Sequence, residues 1–371
     1  MSNRIYDVAV IGAGPAGSLA AALAAKSGFS TVIVEQKYFP RLKICGGFIS
    51  SRCLNLFPAD LGLPAVDLAP VHSITVTNSR QCYDYYSEKK LGLLIKRSHF
   101  DHFLAGYACK SGAVLNEGFS LGRLLHEPGG KPGRNIYLLY ASKGSSAPVR
   151  ARYVIGADGA FGRCGLLSGL RKNSTNPGGW ALSAIKDTQP AAVKPGTLAF
   201  YPLPLSGGMG WSFTGQGWVN QGVGGLASRK RLLKVYRNLF PEKKESPEPL
   251  NWPLPFSGPL KKAASDNLML VGDAAGLVEP YSGEGLYNCI KSSILAITAL
   301  NEAEKKGHAA GPLYQHFFNF HFRQRFAFTL AGAALLHIRS ILAPSTLPPV
   351  IAALIENRLW YNHGLSNPPC R

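Results

Sequence analysis

Residues 6–35 read YDVAVIGAGPAGSLAAALAAKSGFSTVIVE, and the fold is decided in this stretch. Residues 6–11 form an apolar, β-branched run, the pattern of a strand buried on both faces. It runs directly into GAGPAG, which sets Gly12, Gly14 and Gly17 in GxGxxG spacing around Pro15 and Ala16. An alanine-rich helix is expected over 18–27, ending at Gly28, and a second strand over 31–34, closed by Glu35. Strand, turn, helix, strand and terminal acid occur in the order of a dinucleotide-binding βαβ unit.

Each residue type has a physical job. Gly12 lets the chain turn tightly out of the strand, Gly14 leaves room for a pyrophosphate, and Gly17 lets the helix pack near the sheet. The helix start offers free N–H groups and a positive dipole end to phosphates. Glu35 is placed to accept hydrogen bonds from ribose hydroxyls, and its charge disfavours a 2′-phosphate. These residues alone do not separate FAD from NAD.

Two later motifs do. Residues 153–158 (YVIGAD) form an apolar strand that runs into Gly159, Ala160 and Phe161. Residues 267–271 (NLMLV) lead into Gly272-Asp273-Ala274-Ala275-Gly276 and then LVEPYSGEGLYNCIKSS. This pair resembles the second and third fingerprints of the p-hydroxybenzoate hydroxylase-like flavoproteins. The resemblance implies FAD, with Asp158 near the pyrophosphate and Arg163 adding charge there. It also implies Asp273 on the ribityl chain, and a helix opening at Gly283, Gly285 and Leu286 toward the isoalloxazine. Pro280 suits the approach to such a helix. A helix N-terminus there would stabilise the anionic reduced flavin. Residues 94–112 resemble the family's R-x-x-F-D-x-x-L element, with Arg97 reaching the cofactor and the strand up to Leu121 beside the adenine.

Residues 40–47 (PRLKICGG) and 207–225 (GGMGWSFTGQGWVNQGVGG) resemble the geranylgeranyl reductase branch. Met209 and Thr214 stand where that branch has Tyr and Pro, while Trp211, Phe213 and Asn220 keep its pattern. The resemblance implies reduction, or the reverse, of carbon–carbon bonds in an apolar prenyl, lipid or polyketide-like substrate. NAD(P)H or an electron-carrier protein would act as external reductant, since no second Rossmann unit is evident. An aromatic monooxygenase shares every FAD motif, and a flavin-binding protein without turnover is a further alternative. Cys45 and Trp211 are the candidate catalytic residues, and Cys45 and Gly46 are candidate cofactor contacts. Cys45 reads either as a thiol near the flavin or as a small residue in a close-approach loop. Trp211, Phe213, Trp218, Phe200 and Tyr201 read either as a wall over the flavin or as ordinary sheet packing. Arg41 and Lys43 read as phosphate contacts or, preferably, as solvated.

The architecture expected is α/β. A Rossmann-type FAD-binding domain is assembled from 1–70, 95–165 and 262–308, and an antiparallel β-sheet substrate domain from 71–94 and 166–261. A helical C-terminal region follows over 309–371, with helices in 313–342 and 350–360. The apolar stretch 326–343 reads as a buried or interfacial helix, either a membrane platform or a layer closing the core.

Forty Lys and Arg against 21 Asp and Glu give a net charge of +19. No acidic residue lies between Asp187 and Glu242, and beyond Glu304 there is only Glu356. The excess suits an anionic membrane surface, an anionic substrate or simple solubility. Nucleic acid is disfavoured, since no reading motif accompanies the charge. Seven cysteines without CxxC pairs argue against a disulfide framework and against a metal site. With the first strand expected to start near Ile5, a secretory segment is not expected ahead of it. The expected location is therefore cytoplasmic, with peripheral contact on the inner membrane face as an option.

Overall fold

A computed structural model describes residues 4–326 except 64–67, 78–81, 130–134, 144–146, 173–177, 189–192, 242–246, 256–257 and 280–282. Pro280 and the helices expected beyond 326 lie outside the described residues.

The apolar run at the start forms the strand Ile5–Ile11, central in an eight-stranded sheet. It pairs in parallel with Thr31–Glu35 on one side and Val149–Gly156 on the other, so that Val10 lies between Ile33 and Ile155. Val114–Glu117 and Leu268–Leu270 extend the parallel array outward. With helices over it, such a sheet is buried on both faces, which is why Val8, Ala9 and Val10 are all apolar and wholly buried. The helix Pro15–Lys26 is alanine-rich, and it packs closely between the helices Arg97–Lys110 and Leu286–Lys306. The carboxyl ends of four parallel strands come to one edge, delivering Gly12, Glu35, Ala157 and Val271 to a common crevice. Leu121 does not end the strand after the Arg97 helix, as expected. It begins a separate strand, Leu121–Glu127, hairpinned to Ile136–Ala141.

A second, seven-stranded sheet stands over that edge, in the order Leu250–Pro255, Gly178–Lys186, Val219–Gly225, Met209–Thr214, Thr197–Pro202, Ser73–Thr77 and Cys82–Tyr86. It is antiparallel except between Thr197–Pro202 and Ser73–Thr77, two segments far apart in the chain that run parallel. On its outer side lies the helix Arg229–Leu239, which buries Leu232 and Tyr236.

The described C-terminal part is a helix, Ala310–Phe318, continuing through a π-turn at Asn319–Arg323. Tyr314 donates its hydroxyl to the carbonyl of Leu270 at 2.7 Å, and Phe318, Phe322 and Phe326 are buried in the main core. Up to residue 326 this region therefore covers the core. Among the described residues no helix is long and apolar enough to cross a membrane.

Candidate active site

Between the two sheets lies a cavity of about 620 Å³, of a size suited to small-molecule and cofactor binding. Its floor is built from the strand ends. Gly12 has φ +98°, and a Cβ there would stand 2.6 Å from the carbonyl oxygen of Ala157, so only glycine fits the turn. Gly14 then starts the first helix with no side-chain cap, and Pro15 takes the first helical position. The helix therefore opens its unpaired N–H groups toward the cavity. The helix Leu286–Lys306 likewise starts at Gly285 without a side-chain cap, and Gly285, Leu286 and Cys289 line the same space.

Charged side chains surround this floor in connected pairs. The buried Glu35 accepts the N–H of Ala13 at 2.8 Å and that of Lys37 at 3.0 Å. Arg41 lies 3.5 Å from Glu35 and 3.2 Å from Asp101. Arg97 makes a forked contact with Asp101, at 2.7 and 3.1 Å, and both are buried. Burial opposes the Arg97 charge, but the Asp101 carboxylate outweighs it and holds the guanidinium above its ordinary range. Burial pushes Asp158 up to about 6, although one oxygen accepts the N–H of Cys164 at 2.8 Å. Among the described residues its other oxygen, Oδ1, has no hydrogen-bond partner. Arg163 donates to the carbonyl of Leu121 at 3.0 Å, beside the same wall.

The opposite wall is apolar and comes from the second sheet. Met209, Trp211 and Phe213 alternate along one strand and all face the cavity, joined by Phe200 from the neighbouring strand. The loop carrying Cys45 is pressed against this wall. A Cβ at Gly46 would stand 2.6 Å from the Phe213 ring, so the loop approaches the wall closely at this glycine. Asn220 fixes it: its amide donates to the Cys45 carbonyl at 3.0 Å, while its oxygen accepts from Trp211 Nε1 at 2.7 Å and Ser183 Oγ at 2.9 Å. The Cys45 side chain meanwhile interacts with the Arg97 guanidinium.

Of the residues singled out in the sequence, Gly12, Gly14, Pro15, Ala16, Glu35, Cys45, Gly46, Arg97, Leu121, Asp158, Trp211, Asp273, Gly283, Gly285 and Leu286 line the cavity. Gly17 does not; it packs beneath Gly12. Trp218 and Tyr201 are also absent from the wall. Trp218 is enclosed near Gly47 and Gly215, and Tyr201 points to the other side, edge-on to Phe240. The solvated reading of Arg41 and Lys43 is corrected. Arg41 is mostly buried in its ion pairs, and the Lys43 ammonium lies 3.5 Å over the Trp252 ring. Burial, assisted by Arg97, pushes Lys43 down to about 8 against the pull of Asp273. Sequence reasoning missed Trp252 and Glu284. Trp252 reaches the cavity only through the pairing of Leu250–Pro255 with Gly178–Lys186. Glu284 is held by Ser50 at 2.8 Å and by Arg52, partners more than 200 residues away.

A dinucleotide fits the groups present. Two uncapped helix ends and several cations would meet its phosphates and an anionic ring. The acceptors Glu35, Asp158 and Asp273 suit its hydroxyl groups, and the unpartnered Oδ1 of Asp158 is one acceptor such a ligand would satisfy.

Comparison with known proteins supports the same assignment. The FAD binding domain family matches residues 5–203. A digeranylgeranylglycerophospholipid reductase from Methanosarcina acetivorans is 31% identical over 317 residues, covering 82% of this chain and 77% of the relative. A menaquinone reductase from Mycolicibacterium smegmatis is 29% identical over 335 residues, covering 79% and 76%. The solved structure of a geranylgeranyl bacteriochlorophyll reductase-like protein from Thermoplasma acidophilum superposes with a TM-score of 0.80 at 26% identity, over 95% of this chain and 92% of that one. The chain belongs to the geranylgeranyl reductase family of FAD-dependent oxidoreductases.

Proposed function

We propose that this enzyme reduces carbon–carbon double bonds in a prenyl or similarly long apolar lipid chain. One observation carries the reading: a cavity whose floor is polar and suited to FAD has an aromatic wall of Phe200, Trp211 and Phe213 opposite. Bound FAD, once reduced by NAD(P)H or an electron-carrier protein, supplies hydride. The chain's own residues do the rest. Gly14, Ala16, Arg41 and the first helix hold the pyrophosphate, Glu35 the adenosine ribose, and Asp273 the ribityl chain. Leu121 would pack against the adenine, and Asp158 and Arg97 would anchor the rest of the cofactor. Gly283, Gly285 and Leu286 bring a positive helix end to the ring. The aromatic wall excludes water and aligns the alkene. Cys45, held between Arg97 and Asn220, is placed to give the proton that completes the reduction.

The test is anaerobic turnover of reduced protein with prenylated lipids, read by flavin reoxidation and product mass. Product two hydrogens heavier without oxygen supports the reading. An oxygen requirement with an added oxygen atom in the product replaces it with a hydroxylase.

A further inference from the structure

The helix Arg229–Leu239 carries Arg229, Lys230 and Arg231 in its first turn and Lys234 and Arg237 beyond, all exposed. Cations in a first turn oppose the helix dipole, so this arrangement is locally unfavourable. Ser228 caps the helix by accepting from the Arg231 N–H, but no acid offsets the charge in that turn. Among the described residues only Arg237 has an ion pair, with Glu248 at 3.4 Å; Lys230, Arg231 and Lys234 face solvent without one.

This patch adjoins the opening of the cavity. The Arg229 guanidinium lies 3.7 Å over the Trp180 ring, and Trp180 meets Phe161 with ring centroids 5.9 Å apart. Phe161 lines the cavity and yet is 55% exposed. Leu226, 49% exposed, bonds through its N–H to Ser206, and the neighbouring Gly207 and Gly224 also line the cavity. Two exposed apolar side chains thus stand at the edge of the cavity beside a row of exposed cations, three of which have no ion pair among the described residues.

Resting on the function proposed above, we propose that this face docks the protein on an anionic lipid bilayer. The cations engage headgroup phosphates, and Phe161 and Leu226 enter the interfacial layer. The cavity then opens onto the phase where a prenyl chain resides. An acidic protein would match the cations but would leave the two apolar side chains and the opening unexplained.

The test uses the full chain loaded with FAD. Flotation is measured with vesicles of phosphatidylcholine alone and mixed with phosphatidylglycerol, at low and high salt. The variant carries Lys230→Gln, Arg231→Gln and Lys234→Gln, which preserve helix propensity and leave the Arg229–Trp180 contact in place. Each cation removed should weaken partitioning about fivefold, and the three together about a hundredfold. Salt-reversible binding of the parent to anionic vesicles, lost to that extent in the variant, supports the proposal. Equal binding of parent and variant overturns it by placing the contact elsewhere. Binding of the parent to neither vesicle overturns it in favour of an acidic protein partner. Turnover of detergent-dispersed prenyl substrate should be equal in parent and variant. If the parent lacks that turnover, the function reading fails while the vesicle result stands by itself.

Discussion

The side-chain amide of Asn220 donates to the main-chain oxygen of Cys45 at 3.0 Å, tying a strand of the upper sheet to the loop on the floor of the cavity. Asn220 is almost fully buried and also accepts from Trp211 and Ser183. Asn220→Ala leaves these groups without partners and should cost about 1–3 kcal/mol of stability. Turnover should fall as well, since the Trp211 indole and the Cys45 loop lose their shared tether. Urea unfolding and kcat of the FAD-loaded variant check both effects, and parental values for both would contradict this role.

The Arg97–Asp101 pair has a different signature. Both side chains are buried, and among the described residues Asp101 has one further ion-pair partner, Arg41 at 3.2 Å. Arg97→Ala removes the forked partner of a buried carboxylate, leaves it Arg41, and should destabilise by up to about 3 kcal/mol, the low end for breaking a buried pair. Arg97→Ala with Asp101→Ala should cost less than the sum of the single changes, because each single change already removes the contact the two side chains share. Additive losses in chemical denaturation would show the two side chains to be energetically independent.

Asp158 gives a pH dependence. Its carboxyl is raised from 3.8 to about 6 by burial, so the folded FAD-free protein holds a proton that the unfolded chain releases first. Where the folded state binds more protons, stability falls as pH rises. The contribution of Asp158 is therefore fully present below 3.8 and lost on passing through about 6. Asp158→Asn should flatten this decline, and melting temperatures of both proteins across that window measure it.

Two glycines of one motif should behave differently. At Gly17 an added Cβ stands 1.8 Å from the Gly12 carbonyl oxygen, which is backbone and has no rotamer to yield. Gly17→Ala should fail to give folded protein. At Gly14 the nearest atom is Arg41 Nη2 at 3.7 Å, an ordinary contact. Gly14→Ala should fold, with the circular dichroism of the parent, and lose FAD because its methyl occupies the space meant for phosphate. Equal FAD retention by Gly14→Ala would remove Gly14 from the phosphate site.

Asp273→Ala should weaken FAD retention about tenfold, the effect of about 1.4 kcal/mol from one lost hydrogen bond to the cofactor chain. Absorbance of the ultrafiltrate after dilution measures it, and retention equal to the parent would move the ribityl chain elsewhere.

The floor of the site was legible in the sequence because its requirements are local. A turn at φ +98° needs glycine at position 12, and an uncapped helix start follows at once. The wall was legible only in part. Phe200 and Tyr201 are adjacent and point to opposite faces, and which face meets the cavity depends on pairing with Met209–Thr214. Trp252 enters through a register in which it opposes Ala181, some 70 positions earlier in the chain. Arg41 and Lys43 looked solvated because nothing nearby in sequence predicts Asp101 or Trp252 as their neighbours.

The alternation along Met209–Thr214 has an evolutionary consequence. Residues 209, 211 and 213 touch the cavity, whereas a side chain at Gly210 would meet Leu239 of the outer helix. Exchanges at the odd positions can reshape substrate preference while the nucleotide grip, carried on another sheet, is inherited unchanged. Met209 is one such position: a change there can alter the enzyme's diet without rebuilding its engine.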